Sequence, residues 1–211
     1  MLLAGIDDAG RGSVIGPLVI AGVSFDESQL NHLKRIGVKD SKELKPKKRE
    51  ELRKEILNLA NEVSTLHLLP YAIDIYVLQK DKKLNRLEAI AMAEIIKKIN
   101  SHIVYIDCPD INLKRFKDEI YRYVSKKVKI VCEHKADKKF LVVSAASIIA
   151  KVERDLSIVY LKSILGDFGS GYPSDLKTRK FLLEYLKNKG AYPNQVRKSW
   201  KTLERIREIL K

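Results

Sequence analysis

Cysteine is nearly absent: Cys108 and Cys132 are the two in 211 residues. Two thiols cannot build a disulfide framework, and they lack the paired spacing of a zinc site, so reduced intracellular thiols are expected. Long apolar runs are missing as well. No stretch approaches the roughly 20 apolar residues that a membrane span needs, and the opening run at residues 2–6 is stopped by Asp7 without a basic leader, which argues against a secretory signal. A cytoplasmic protein with no membrane partner is expected. Glutamine is scarce, at Gln29, Gln79 and Gln195, while lysine, glutamate and isoleucine are plentiful, a bias of heat-adapted proteins. Acids are short too, with 27 Asp and Glu against 41 Lys and Arg, a formal charge of +14. That balance fits a polyanionic partner such as nucleic acid or an anionic membrane surface; a solvated, lysine-rich surface is the plain alternative. There is no internal repeat, linker or low-complexity tail, so one domain with at most a small appendage is expected.

What is present begins at Gly5-Ile6-Asp7-Asp8-Ala9-Gly10-Arg11-Gly12. An apolar run ends in two adjacent carboxylates and then in a glycine-arginine-glycine loop. Carboxylates grouped at a strand end repel anything anionic unless a divalent cation lies between, and Mg²⁺ takes carboxylate oxygens together with substrate phosphates. Glycine lets a ligand approach the main chain closely, and Arg11 offers a planar fork of donors suited to phosphate. Gly10-x-Gly12-x-x-x-Gly16 is also close to a dinucleotide-binding fingerprint. That reading fails on context, because a helix must open at those glycines, whereas Pro17 intervenes and residues 18–23 continue as β-type sequence.

Along the chain, residues 2–6 and 17–25 read as strands, plausibly antiparallel. Helical spacing follows over 27–36 and, after Pro46, over 49–60. Strands are expected at 62–69, 102–107 and 129–132, and helices at 84–99, 112–123, 140–165, 176–188 and 194–210. Pro70 reads as a break, residues 133–137 as a polar turn and 169–175 as a loop. In the last helix Trp200, Leu203, Ile206 and Leu210 form an apolar stripe, with core packing as its ordinary use. Strands alternating with helices after a β-rich start favour an α/β sandwich with a mixed sheet.

Two strand ends carry acids, Asp7 and Asp107, which could converge at one sheet edge with Asp137 entering from the turn before a helix. Three or four carboxylates so placed raise one another's pKa. Two divalent ions would relieve that and would catalyse in-line displacement at phosphorus. Each acid alone is more simply a cap or a surface residue; jointly, on so basic a chain, they point to catalysis. His134 could assist proton transfer, although a lone histidine at a strand end is more often structural.

The chain resembles type 2 ribonuclease H, the ribonuclease HII family, in its archaeal form. The resemblance covers nearly the whole chain. It rests on the residue 5–12 motif, Lys39-Asp40-Ser41-Lys42, Glu133-His134-Lys135-Ala136-Asp137, Val143-Ser144-Ala145-Ala146-Ser147-Ile148-Ile149-Ala150-Lys151 and Gly169-Ser170-Gly171-Tyr172-Pro173-Ser174-Asp175. It implies an RNase H-like α/β fold, a mixed central sheet flanked by helices, with a catalytic domain at 1–165 and a C-terminal helical extension at 166–211. It implies a monomeric endoribonuclease, dependent on two Mg²⁺ or Mn²⁺ ions, that hydrolyses the RNA of RNA–DNA hybrids to 3′-hydroxyl and 5′-phosphate ends. It also implies nicking 5′ of single ribonucleotides in duplex DNA, as in ribonucleotide excision repair and DNA replication. Asp7, Asp8, Asp107 and Asp137 would be the catalytic, metal-binding acids. Gly10, Arg11 and Gly12 would read the 2′-hydroxyl and phosphates at the RNA-to-DNA junction, Tyr172 would pack against the nucleotide, and Lys42 would touch a phosphate. A 2′-hydroxyl is the group that separates RNA from DNA. Position 8 is ordinarily glutamate in this family; Asp8 keeps the charge and loses reach. A non-catalytic hybrid-binding protein and another metal-dependent nuclease of the same fold are the alternatives, and a sliding-clamp partner is left open.

Overall fold

The computed structural model describes residues 1–38, 44–80, 83–125 and 127–209. The motif at 39–42, Lys42 included, lies outside them.

The first strand, β1 (Leu2–Ala9), runs on through both acids of the opening motif rather than stopping before them. It pairs antiparallel with β2 (Leu18–Asp26), as expected, in a register that sets Asp7 opposite Ala21. Three further strands, β3 (Glu62–Leu68), β4 (Ile103–Asp107) and β5 (Lys129–Glu133), complete a five-stranded sheet of order β3-β2-β1-β4-β5. The pairs β1–β4 and β4–β5 are parallel. The sheet is therefore mixed, with central strands buried on both faces, which is why β1 and β2 read as near-continuous apolar runs.

Nine helices accompany the sheet among the described residues: α1 (Leu30–Ile36), α2 (Pro46–Leu59), α3 (Pro70–Val77), α4 (Leu84–Lys98), α5 (Leu113–Tyr121), α6 (Ala136–Lys139), α7 (Leu141–Leu165), α8 (Leu176–Lys189) and α9 (Lys201–Ile209). A short 3₁₀ turn, Glu27–Gln29, precedes α1. Three helical regions also differ from the sequence expectation. Pro70, read as a break, is the opening position of α3, where its missing N–H costs nothing. The polar turn at 133–137 contains the start of the four-residue α6. The last helix begins at Lys201, not at residue 194, because 195–197 is drawn out along 14–16: Ile15 and Val196 form a β-bridge, and the Arg197 N–H donates to the Val14 carbonyl at 2.9 Å.

The chain divides into two compact units. The first comprises 1–9, 19–66 and 85–153. Its core sets Leu3, Ala21, Val23 and Phe25 of the sheet against Leu33, Leu52 and Ile56 of the flanking helices and the small apolar run of α7 from Val142 to Val152. Contact with α7 is close at Gly5, where a Cβ would come within 2.1 Å of the Val142 carbonyl group. The second unit comprises 10–18, 67–84 and 154–211. Its core joins Val14, Ile15, Phe168, Leu182, Val196, Leu203 and Ile206, with Trp200 packed against it. The stripe of the last helix is thus used in the core, apart from Leu210, which lies outside the described residues. Among the described residues no helix is long and apolar enough to cross a membrane.

Candidate active site

Parity along β1 decides where its acids go. Alternate residues of a strand face opposite sides, so Asp7 shares a side with Leu3 and Ala9, which belong to the core around α7, while Asp8 shares the parity of Ala4 and Ile6. The parallel register pairs Ile6 with Ile106, which makes Asp7 and Asp107 the next residues on adjacent strands. Asp137 arrives from α6. Its approach depends on Lys135, which caps that helix in the left-handed conformation at φ 54°, unusual for a residue with a long side chain. A stacked pair, Tyr105 on Phe140 with ring centroids 4.2 Å apart, ties β4 to the segment just after Asp137. The Ala136 N–H donates to Asp107 Oδ1 at 3.1 Å, and the Asp8 N–H to Asp7 Oδ1 at 2.8 Å.

The outcome is a triad. One carboxylate oxygen each of Asp7, Asp107 and Asp137 lies within 4.8 Å of the others. Asp7 and Asp137 are buried and Asp107 is half-buried. Burial holds the Asp7 carboxyl well above the usual carboxylate range, the charges of Asp8 and Asp107 push the same way, and the nearby Ser147 hydroxyl opposes them. This donor set fits a hard divalent cation: all-oxygen, carboxylate-rich and electrostatically strained without positive charge. Asp8 is not in the triad, although its charge is felt at Asp7. His134 is exposed and outside it.

The remaining candidates among the described residues sit in the second unit. The turn after β1 has Gly10 at φ 87°, and a Cβ there would meet Arg154 Nε at 2.4 Å, so glycine is required on two counts. The Val14 and Ile15 N–H groups donate to the Gly171 carbonyl at 2.8 and 3.1 Å, which fastens this turn to the Tyr172 loop. That loop is itself braced. The Ser170 N–H donates to Asp175 Oδ2 at 2.7 Å, and the Gly171 N–H to Thr178 Oγ1 at 3.0 Å. Tyr172 is half-buried with the Arg154 guanidinium 4.6 Å from its ring centre, a cation–π contact. Gly12 is exposed, with open space where a Cβ would stand. The structure therefore gathers Gly10, Arg11, Gly12 and Tyr172 in one unit, and Asp7, Asp107 and Asp137 in the other.

Two residues that sequence reasoning missed stand behind the turn. Arg154 is buried at 6% exposure, and its Nη2 donates to the Ser170 carbonyl at 3.2 Å. Arg197 is fully buried and donates to the carbonyls of Gly10, Arg11 and Gly16. No local signal marks either, since Arg154 stands between Glu153 and Asp155 and Arg197 beside Lys198 in a polar segment.

The family model described as Ribonuclease HII matches residues 4–203. A ribonuclease HII of Thermococcus sibiricus is 50% identical over 212 residues, taking in 100% of this chain and 93% of that protein. Among solved structures, the ribonuclease H2 of Pyrococcus horikoshii is similar with a TM-score of 0.92 at 42% identity, covering 99% of this chain and 98% of that one. The PCNA:RNase HII complex from Archaeoglobus fulgidus contains a chain similar with a TM-score of 0.89 at 43% identity, with 97% and 96% covered.

Proposed function

The chain belongs to the ribonuclease HII family, whose members are hydrolytic endoribonucleases acting on RNA–DNA hybrids, and from that premise we propose that it also nicks DNA duplexes 5′ of single embedded ribonucleotides. Its fold is RNase H-like. The observation that carries the reading is the triad of carboxylate oxygens within 4.8 Å, on a chain of charge +14.

In this reading Asp7, Asp107 and Asp137 hold two divalent ions, Mg²⁺ or Mn²⁺, and Asp8 contributes charge from beside them. Bound there, the ions would supply Lewis-acid activation of the scissile phosphate and a nucleophilic water. The chain's own part is to position. The N–H groups of the Gly10-Arg11-Gly12 turn and the Arg11 guanidinium bind the phosphates and the 2′-hydroxyl, a donor and acceptor that DNA lacks. Tyr172 packs against the nucleotide at the junction, its ring direction set by Arg154. The products carry 3′-hydroxyl and 5′-phosphate ends. The Archaeoglobus relative was solved with PCNA; a clamp contact for this chain is a proposal resting on that likeness, and direct binding of a purified clamp to the full chain checks it.

The deciding test is cleavage of a labelled DNA duplex containing one ribonucleotide, with Mg²⁺, Mn²⁺ or EDTA, by the protein and by its Asp107→Asn variant. A metal-dependent nick on the 5′ side of the ribonucleotide, lost in the variant by about a hundredfold or more, is the expected result. Cleavage of a long RNA–DNA hybrid without that nick would refute the junction reading. Turnover of neither substrate would favour a hybrid-binding protein.

A further inference from the structure

Arg197 is a guanidinium with 0% exposure, held in the second unit. A buried charge is costly unless its donors are satisfied, and here they are spent on backbone oxygens. Nη1 donates to the Arg11 carbonyl at 2.8 Å and Nη2 to the Gly10 carbonyl at 2.8 Å. Nε and Nη2 donate to the Gly16 carbonyl at 3.2 and 3.1 Å. Its Cζ lies over the Trp200 ring, 4.8 Å from the ring centre. The Gly10 carbonyl also accepts from the Ser13 N–H at 3.2 Å and the Ser13 hydroxyl at 2.8 Å. Both ends of the turn are thus pulled onto one side chain from the far end of the chain.

A trans peptide points its C=O and N–H in opposite directions within its plane. Drawing the Gly10 carbonyl inward turns the Arg11 N–H away from Arg197, and drawing the Arg11 carbonyl inward does the same to the Gly12 N–H. Successive N–H groups presented this way form a concavity that receives an anion or a hydroxyl oxygen. Lysine could not reproduce it, because an ammonium lacks the planar fork that reaches three carbonyls at once.

We propose that Arg197 is the positioning residue for ribonucleotide selectivity, holding the carbonyl side of the Gly10–Gly16 turn so that the Arg11 and Gly12 N–H groups face the 2′-hydroxyl and its phosphate. The proposal rests on the junction reading given above and adds to it the residue that preorganises the reading surface. Arg197 touches no substrate in this account; it acts through the turn.

The test compares Arg197→Lys, Gly12→Ala and the unaltered protein. For each, kcat and KM are measured on a duplex with one ribonucleotide and on a continuous RNA–DNA hybrid, alongside the melting temperature and Mn²⁺ binding by calorimetry. Gly12→Ala places a methyl in open space, so it reports on the reading surface with little effect on folding. Arg197→Lys is expected to lower the ratio of single-ribonucleotide to hybrid kcat/KM by about tenfold or more, the scale on which misplaced positioning groups act, with Mn²⁺ binding unchanged. A merely structural arginine would lower melting temperature and both activities in parallel, leaving the ratio where it was, and that result overturns the proposal. If Gly12→Ala loses single-ribonucleotide cleavage while Arg197→Lys keeps the ratio, the junction reading stands and the role of Arg197 falls. If Gly12→Ala cleaves both substrates normally, the turn is not the reading surface and both fall. Should Arg197→Lys fail to fold, Trp200→Leu, which removes the ring beneath the guanidinium, answers in its place: a reduced ratio supports the proposal and an unchanged one overturns it.

Discussion

Asp7 and Asp8 are neighbours on an extended strand, so their side chains leave opposite faces of β1. Asp7 joins the triad with Asp107 and Asp137, and Asp8 does not. Glutamate, which the family resemblance implies at position 8, would extend the carboxylate by one C–C bond, about 1.5 Å. Asp8→Glu is expected to lower the Mn²⁺ or Mg²⁺ concentration needed for half-maximal cleavage and to raise kcat. A metal titration of hybrid cleavage measures both, and superimposable curves would show that the shorter acid is no handicap. The same logic of reach applies to Gly10. Gly10→Ala would carry a left-handed conformation costing about 1–2 kcal/mol and drive a methyl against Arg154 Nε. A lower melting temperature together with weaker single-ribonucleotide cleavage is the expected pair of changes.

Helix α7 and the cap of α8 show what holds the acid-bearing strand β1 and the Tyr172 loop in place. The first turn of α7 rests on β1 so closely that Gly5→Ala would bring a Cβ within 2.1 Å of backbone at Val142. Neither backbone can yield without moving strand or helix, so the expected loss is of the size of core overpacking, about 1–3 kcal/mol or more, read from denaturant unfolding. At α8 the N-cap is Asp175, which accepts from the Lys177 N–H at 2.9 Å and from the Ser170 N–H at 2.7 Å. The bond from the Ser170 backbone is foremost in pulling the Asp175 carboxyl down to about 2. A carboxyl depressed in the fold stabilises it above the unfolded pKa of about 3.9 and loses that contribution as pH falls toward the folded value. Asp175→Ala should therefore melt below the unaltered protein at pH 7, and the gap should close between about pH 4 and pH 2. A gap independent of pH would assign the effect to the lost side chain rather than to its charge.

Charge is unevenly shared across the molecule. The second unit holds 17 Lys and Arg against 8 Asp and Glu, a net +9 of the chain's +14, although it is the smaller of the two. The first unit keeps the acid triad and a more balanced remainder. Binding to a hybrid should therefore weaken steeply with salt, log affinity falling linearly with log salt concentration by about 0.7–0.9 per phosphate neutralised. Charge-neutralising substitutions at exposed lysines of the second unit should flatten that slope more than equal numbers in the first. Fluorescence anisotropy of a labelled hybrid in Ca²⁺ over a salt series checks it. Equal slopes for both sets would mean that the two units share the electrostatic contact evenly.

Most of the fold was legible in the sequence because strand and helix signals are local. An apolar run ending in an acid marked β1 and β4, the small residues of 142–150 marked a buried helix, and the order of five motifs marked the family. Asp7, Asp107 and Asp137 could be named as partners from their positions at strand ends and before a helix. Their meeting within 4.8 Å was decided by the parallel register of β1 with β4 and by the left-handed turn at Lys135. Neither is a local preference; lysine has none for that conformation. Arg197 was read as part of a helix, and only the tertiary structure made it the clamp of the opening turn. The Gly10 carbonyl it holds is 187 residues away along the chain, a distance over which propensity has no say and only the packing of the second core brings donor to acceptor.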